Sequence, residues 1–236
     1  MSQVDLLVFA AHPDDAEIGI GGLLAKHHAA GFKTAICHLT EAELSSNGTV
    51  ERRREEAKKA AEILGVSKLI NLGFPDRGLT GSPEQILRIT QVIRQYRPHV
   101  VLAPYYEDRH PDHVACSRMV KEAIFDAAIR KKQTPGNEPA HRVNQFYYYF
   151  INDITQPDLI VDVSDVYELK MAAIKAYASQ FNRQEGEMDT PLNQPSYLAM
   201  IQGRDSIWGY QIGALYGEGL ISPKPLKTQL LISRDQ

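Results

Sequence analysis

The stretch FAAHPDDAEIGIGG, Phe9 to Gly22, decides how the rest of the chain is read. It closes a nearly continuous apolar run, VDLLVFA (Val4 to Ala10), which is the pattern of a parallel strand covered on both faces. The run breaks into a polar turn carrying His12, Asp14 and Asp15, and a helix is expected from about Ala16 to Ala30, closed by Gly31. Crowding two carboxylates against an imidazole is costly unless something positive or catalytic sits among them.

Outward from this turn the same unit repeats. KTAICHLT (Lys33 to Thr40) reads as a second strand, and VERRREEAKKAAEILG (Val50 to Gly65) as a helix of strong helix formers ending on glycine. KLINL (Lys68 to Leu72) is a third strand, followed by a helix from Pro83 to Tyr96 with proline in its first turn. HVVLAP (His99 to Pro104) is a fourth strand, and Val114 to Arg130 its helix. Four alternations of strand and helix predict an α/β protein with a doubly wound, mostly parallel sheet.

The C-terminal part adds further strands and helices: VNQFYYYF and DLIVDV as strands, a helix to about Ser179 introduced by Asp165 and Glu168 at capping-box spacing, and a helix between Gln194 and Ile212. Trp208 is read there as plain packing, and NQFYYYF as either a buried strand or an aromatic interface. Lys131 to His141 is the most linker-like stretch, but strands resume at once, so residues 1–236 are expected to form one domain.

Composition narrows the partners. Basic residues number 26 against 29 acidic ones, for a net charge of -3, so no cationic surplus points to nucleic acid or an anionic membrane, and the expected partner is a small molecule. Two cysteines, Cys37 and Cys116, lie far apart without a CxxC, which fits a reducing compartment. The run Leu6 to Ala11 is too short for a signal or membrane segment, so a cytoplasmic location is expected.

Ligands of open α/β sheets bind beyond the carboxyl ends of the strands, where strand order reverses. With strand order 3-2-1-4, the loops after strands one and four flank that crevice. The first holds His12, Asp14 and Asp15; the second holds His110, Asp112 and His113. Catalytic zinc takes three nitrogen or oxygen ligands and keeps a position open. His12, Asp15 and His113 supply such a set, leaving Asp14 to take a proton from water that the metal polarises. Asp112 is read as orienting His110 and raising its pKa, so that a charged ring faces developing negative charge.

Aspartates at helix N-termini are commonly mere caps, which would account for either loop alone. Two such loops at the ends of neighbouring strands favour a shared centre. His27 and His28 fall mid-helix, and His38 lacks a matched carboxylate, so it is assigned to the core or to a supporting role. The glycines 19, 21 and 22 miss GxGxxG, and GxxxxGK[ST], HExxH and GxSxG are absent. Those glycines are expected instead to permit close helix–sheet packing.

AHPDD and HPDH resemble the two motifs of the LmbE-like (PIG-L) zinc de-N-acetylase superfamily, whose members remove acetyl from N-acetylglucosamine groups. LTEAELSSNGTVERRREEA and PYYEDRHPDH are more specifically similar to the branch that deacetylates N-acetyl-D-glucosaminyl L-malate in bacillithiol biosynthesis. The resemblance implies a Rossmann-like fold, zinc held by His12, Asp15 and His113, Asp14 as general base, and His110 as electrostatic partner supported by Asp112. It also implies substrate contact by Arg53; Arg109 is a second candidate, since its guanidinium fork matches a carboxylate. The implied reaction is zinc-dependent hydrolysis of the acetamide, giving glucosaminyl malate and acetate, by an assembly of several copies. The alternatives are deacetylation of another N-acetylglucosamine conjugate, a metal-dependent phosphoesterase, and a sugar-binding module with a structural metal.

Overall fold

In the computed structural model, which describes residues 3–182 and 187–226, the four predicted strand–helix units are all present. They are β1 (Leu6–Ala10), α1 (Asp15–Ala29), β2 (Thr34–Thr40), α2 (Val50–Ile63), β3 (Lys68–Phe74), α3 (Pro83–Tyr96), β4 (Val100–Pro104) and α4 (Pro111–Ala127). The later elements are β5 (Gln145–Tyr149), β6 (Leu159–Asp162), α5 (Tyr167–Ala176), the single turn α6 (Ala178–Phe181), α7 (Pro195–Gln211) and β7 (Gly217–Ile221).

One seven-stranded sheet runs β3-β2-β1-β4-β5-β7-β6. The first five strands in that order are mutually parallel, and β7 lies antiparallel to both β5 and β6. The sheet is therefore mixed, with its antiparallel part supplied by the C-terminal third. β1 sits between β2 and β4, so the chain winds outward in both directions from it and the crevice opens at its carboxyl end.

β1 is buried along its whole length because helices cover both faces of the sheet. Alternate residues of β1 feed two cores: Leu6, Val8 and Ala10 join α1, α2 and α5, whereas Leu7 and Phe9 join α3 and α4. α3 shows how the sequence builds one layer. Ser82 caps it by accepting the Gln85 N–H, Pro83 pre-sets the first turn, and Ile86, Ile89, Val92 and Ile93 are buried on one face. Each such side chain contributes about 1.5–3 kcal/mol through burial.

Two glycines let α1 lie against its neighbours. A Cβ on Gly19 would overlap the Tyr149 ring, and one on Gly22 would stand 2.7 Å from Cβ of Val163. NQFYYYF forms a strand whose latter part is buried, with Tyr148, Tyr149 and Phe150 enclosed and Asn144 and Gln145 exposed. Trp208 is buried, tilted against Phe150 and stacked under the Arg204 guanidinium, so packing is its role.

Three expectations are corrected. α4 begins at Pro111 rather than Val114, because Pro at the first helical position needs no N–H partner. Asp165 and Glu168 do not form a capping box: a 3-10 turn (Ser164–Val166) leads into α5, whose cap position is Val166, and Asp165 pairs with Lys26. The helix expected to reach Ser179 stops at Ala176 and restarts as α6, with Tyr177 non-helical between them.

Candidate metal centre and active site

The loops after β1 and β4 meet, as the strand order requires, and the loop after β3 joins them. At the first loop Asp14 occupies the cap position of α1 with φ 109° and ψ -27°, a conformation that side chains with a Cβ rarely adopt. Its carboxylate caps nothing. Instead Arg53 from α2 donates through Nη2 to Asp14 Oδ2 at 3.1 Å, and through the same nitrogen to the Pro13 carbonyl. The plain helix-cap account of Asp14 is thereby excluded.

Asp15 is the hub of the site. Its Oδ2 accepts the His12 backbone N–H at 2.8 Å and lies 3.5 Å from His12 Nδ1, while its Oδ1 lies 3.0 Å from His113 Nε2. The far nitrogen of each ring faces other carboxylates. His12 Nε2 is 3.3 Å from Asp76 Oδ1 and 3.4 Å from Asp112 Oδ2, and His113 Nδ1 is 2.9 Å from Asp108 Oδ1. Carboxylates behind imidazoles fix ring orientation and aim the remaining nitrogen at a common point, the arrangement of metal-ligating histidines.

His110 is held differently. It occupies the cap position of α4 and its Nδ1 accepts the Asp112 backbone N–H at 3.3 Å, which leaves Nε2 as the protonated nitrogen of the neutral ring. The ring stacks on His113 at 4.8 Å between centroids and meets His12 edge-on at 4.7 Å. The expectation that the Asp112 carboxylate orients His110 is overturned. That carboxylate is spent on His12 and on the backbone and guanidinium N–H groups of Arg77.

Titration behaviour follows from these contacts. Burial would depress the His12 and His113 imidazoles, but Asp112, Asp15 and Asp76 raise the first well above the ordinary range, and Asp15 and Asp108 raise the second to about 9. Burial pushes Asp14 up to about 6, against the pull of Arg53. Burial also opposes ionisation of Asp15, yet His113 and His12 hold it well below the usual carboxylate range. His110 moves down, by burial first and then by repulsion from His12 and His113, opposite to the direction expected from the sequence.

The donor set fits a divalent cation. Among the described residues, Asp14, Asp15, Asp76, Asp108 and Asp112 form ion pairs with two guanidiniums, those of Arg53 and Arg77, and the carboxylates draw the His12 and His113 imidazoles towards protonation. A metal ion supplies the same positive charge to nitrogen lone pairs. Besides the expected set, in which Asp15 lies 3.5 Å from His12 Nδ1 and 3.0 Å from His113 Nε2, two further groups have their donor atoms within 4.8 Å of one another: His12, His110 and His113, and His12, Asp76 and Asp112. In the second group Nδ1 of His110 already accepts an N–H, and in the third Asp112 is already paired with Arg77.

The centre floors a cleft of ≈ 300 Å³, a size suited to a small ligand. Ile18, Ile151, Leu192 and Tyr197 form an apolar wall, and Ser45, Ser46 and Asn152 supply polar groups. Arg53, expected to contact substrate, lines the cleft with its side chain 3% exposed and bonded to Asp14 and Pro13. Arg109 is exposed at the cleft and forms no hydrogen bond or ion pair among the described residues. The neighbouring arginines, 52 and 54, face solvent and pair with Glu56 and Glu41. Sequence reasoning missed Asp76 and Asp108. Asp76 sits in PDRG after β3 and Asp108 two residues before His110, polar positions that nothing in the local pattern singled out.

Residues 7–124 match the model of the PIG-L family, described as GlcNAc-PI de-N-acetylase. The diacetylchitobiose deacetylase of Thermococcus kodakarensis is 34% identical over 91% of this chain and 81% of its own length. A probable N-acetyl-alpha-D-glucosaminyl L-malate deacetylase 2 of Bacillus subtilis is 24% identical over 87% of this chain and 97% of its own, so the likeness to the bacillithiol branch is the more distant one. A 4-oxalmesaconate hydratase of Pseudomonas putida is also similar, at 27% over 75% of this chain and 74% of its own. Among solved structures, a conserved protein of Thermus thermophilus superposes with a TM-score of 0.89 and 39% identity, covering 98% of this chain and all of the other. The chain belongs to the PIG-L family of GlcNAc-PI de-N-acetylases.

Proposed function

We propose that this protein is a metal-dependent amide hydrolase that removes acetyl from an N-acetylglucosamine-containing small molecule. The observation that carries the reading is the convergence of His12 Nδ1 and His113 Nε2 on the carboxylate of Asp15, beside the strained and arginine-held Asp14. In this reading His12, Asp15 and His113 hold the metal, taken to be zinc, which when bound supplies Lewis-acid polarisation of an acetamide carbonyl and of water.

The chain's own groups do the rest. Asp14 takes a proton from the attacking water through its carboxylate, and Arg53 keeps that carboxylate pointed into the cleft. His110 donates its Nε2–H to the oxygen that becomes negative as the carbonyl carbon turns tetrahedral, a task for a neutral ring whose Nδ1 is occupied. The carbon–nitrogen bond then breaks as the amine nitrogen takes up the proton that Asp14 accepted from water, and the acetyl group departs with the water oxygen as acetic acid, which gives its remaining proton to solvent as acetate.

Two substrates divide the support. Exposed, uncommitted Arg109 at the cleft favours an anionic aglycone such as malate. The higher identity to a diacetylchitobiose deacetylase favours a neutral sugar. The test is amine release from N,N'-diacetylchitobiose, N-acetyl-D-glucosaminyl L-malate and free N-acetylglucosamine, before chelation, after it, and after zinc is restored. Release that vanishes on chelation and returns with zinc is expected. Silence on all three by folded, zinc-loaded protein overturns the reading.

A further inference from the structure

α1, whose N-terminus carries Asp14 and Asp15, is not one continuous helix. At Ile20 the backbone leaves helical geometry, with φ -144° and ψ 30°. The donors released there are met by a carboxylate from the far end of the chain: Glu218 on β7 accepts Gly22 N–H at 2.9 Å and Leu23 N–H at 2.6 Å. The acceptor that Gly22 would use in an unbroken helix is the Ile18 carbonyl, and Arg204 on α7 takes it at 3.0 Å. Both halves of the interrupted bond are thus satisfied by side chains from the C-terminal third.

Those two side chains are wired together. Lys170 on α5 reaches Glu218 at 2.8 Å and Asp205 at 2.6 Å, and Asp205 accepts from Arg204 at 3.1 Å. All four are fully buried. Arg204 also donates to the carbonyls of Phe150 and Ile151, immediately before Asn152, whose amide holds the Asp108 carboxylate at 3.0 Å against His113. One guanidinium therefore grips both the short helical segment that presents Asp15 and the loop that braces His113.

We infer that Arg204 and Glu218 are positioning residues for the metal ligands: by terminating the first turn of α1 and anchoring the loop after β5, they set the separation of Asp15 from His113. The inference rests on the metal reading of the site. Single removal of a buried charge partner is costly, so the variants must be conservative.

The test titrates chelator-stripped, full-length protein with Co2+, following the visible d–d bands and the dissociation constant, with circular dichroism and thermal melts in parallel. Glu218→Gln and Arg204→Lys are expected to stay folded, to bind Co2+ about tenfold or more weakly, and to show shifted bands. Arg94→Lys is the comparison. Arg94 is an equally buried arginine on the other face of the sheet that satisfies carbonyls at the end of α4, and its variant should lose thermal stability without changing the bands. If Glu218→Gln does not fold, the double variant Lys170→Met/Glu218→Gln removes one charge of each sign and is read in the same way. Wild-type affinity and bands in the folded network variants overturn the inference. Failure of the wild-type protein to bind Co2+ overturns the metal reading and this inference with it.

Discussion

Arg53 and Asp14 form a buried ion pair, 3.1 Å from Nη2 to Oδ2, in which each residue compensates for a cost carried by the other. Asp14 stands in a left-handed backbone conformation with its carboxyl enclosed, and Arg53 is an enclosed guanidinium whose ring neighbour is Tyr177, 5.7 Å away. Arg53→Lys should therefore lose activity although charge is kept, because the lysine chain ends short of the Nη2 position that bonds both Asp14 and the Pro13 carbonyl and has no second nitrogen to reach Ser45 Oγ, 3.5 Å from Nη1. A fall in kcat of about tenfold or more, with KM nearly unchanged, is expected from steady-state kinetics. A change confined to KM would return Arg53 to substrate binding.

Asp14→Ala is expected to keep its zinc and lose about 100- to 10,000-fold in turnover, the range for a general base. His113→Ala should lose the metal itself. Metal content by elemental analysis alongside kcat separates the two, and equal metal loss in both variants would refute the division of roles.

Asp108→Ala removes the carboxylate behind His113 Nδ1 without touching the face of the ring that meets Asp15. Zinc affinity should fall about 10- to 100-fold, as is usual for a group that orients a ligand. Competition with a fluorescent chelator would measure it, and an unchanged affinity would assign Asp108 to Asn152 and the loop alone.

His38, outside the ligand set but within reach of the charges on Asp15, Arg53 and His12, makes a pH prediction. Burial pushes its imidazole down to about 3, from an ordinary value of 6.5. A depressed folded value means that the stabilisation from the neutral ring is complete above pH 6.5 and is lost as pH falls from 6.5 towards 3. Folding free energy should drop in that window by up to about 1.4 kcal/mol per pH unit on this account. His38→Gln, uncharged throughout, should flatten that slope in urea titrations at stepped pH; parallel curves for both proteins would exclude the assignment.

Much of the fold was legible because each strand–helix unit carries its own local signals. Pro83 and Ser82 mark the start of α3, Thr49 caps α2 by accepting the Arg52 N–H, and Val4 to Ala10 is apolar enough to require cover on both faces. The capping box at Asp165 failed because Lys26, distant in sequence, offered that carboxylate a partner outside its own helix. The break in α1 was invisible for the same reason, since its compensation comes from Arg204 and Glu218.

The sequence by itself determined that a doubly wound sheet would bring a His12-Asp14-Asp15 loop and a His110-Asp112-His113 loop to one crevice, because hydrophobic periodicity and the reversal of strand order about β1 are properties of the chain. Only the tertiary structure decided which carboxylate serves which imidazole. Asp112 went to His12 and Arg77 rather than to His110, Asp108 took His113, and Asp76 arrived from the loop after β3. Ion pairs among buried groups are settled by distances of a few ångströms between loops that are far apart in sequence, and the sheet sets those distances.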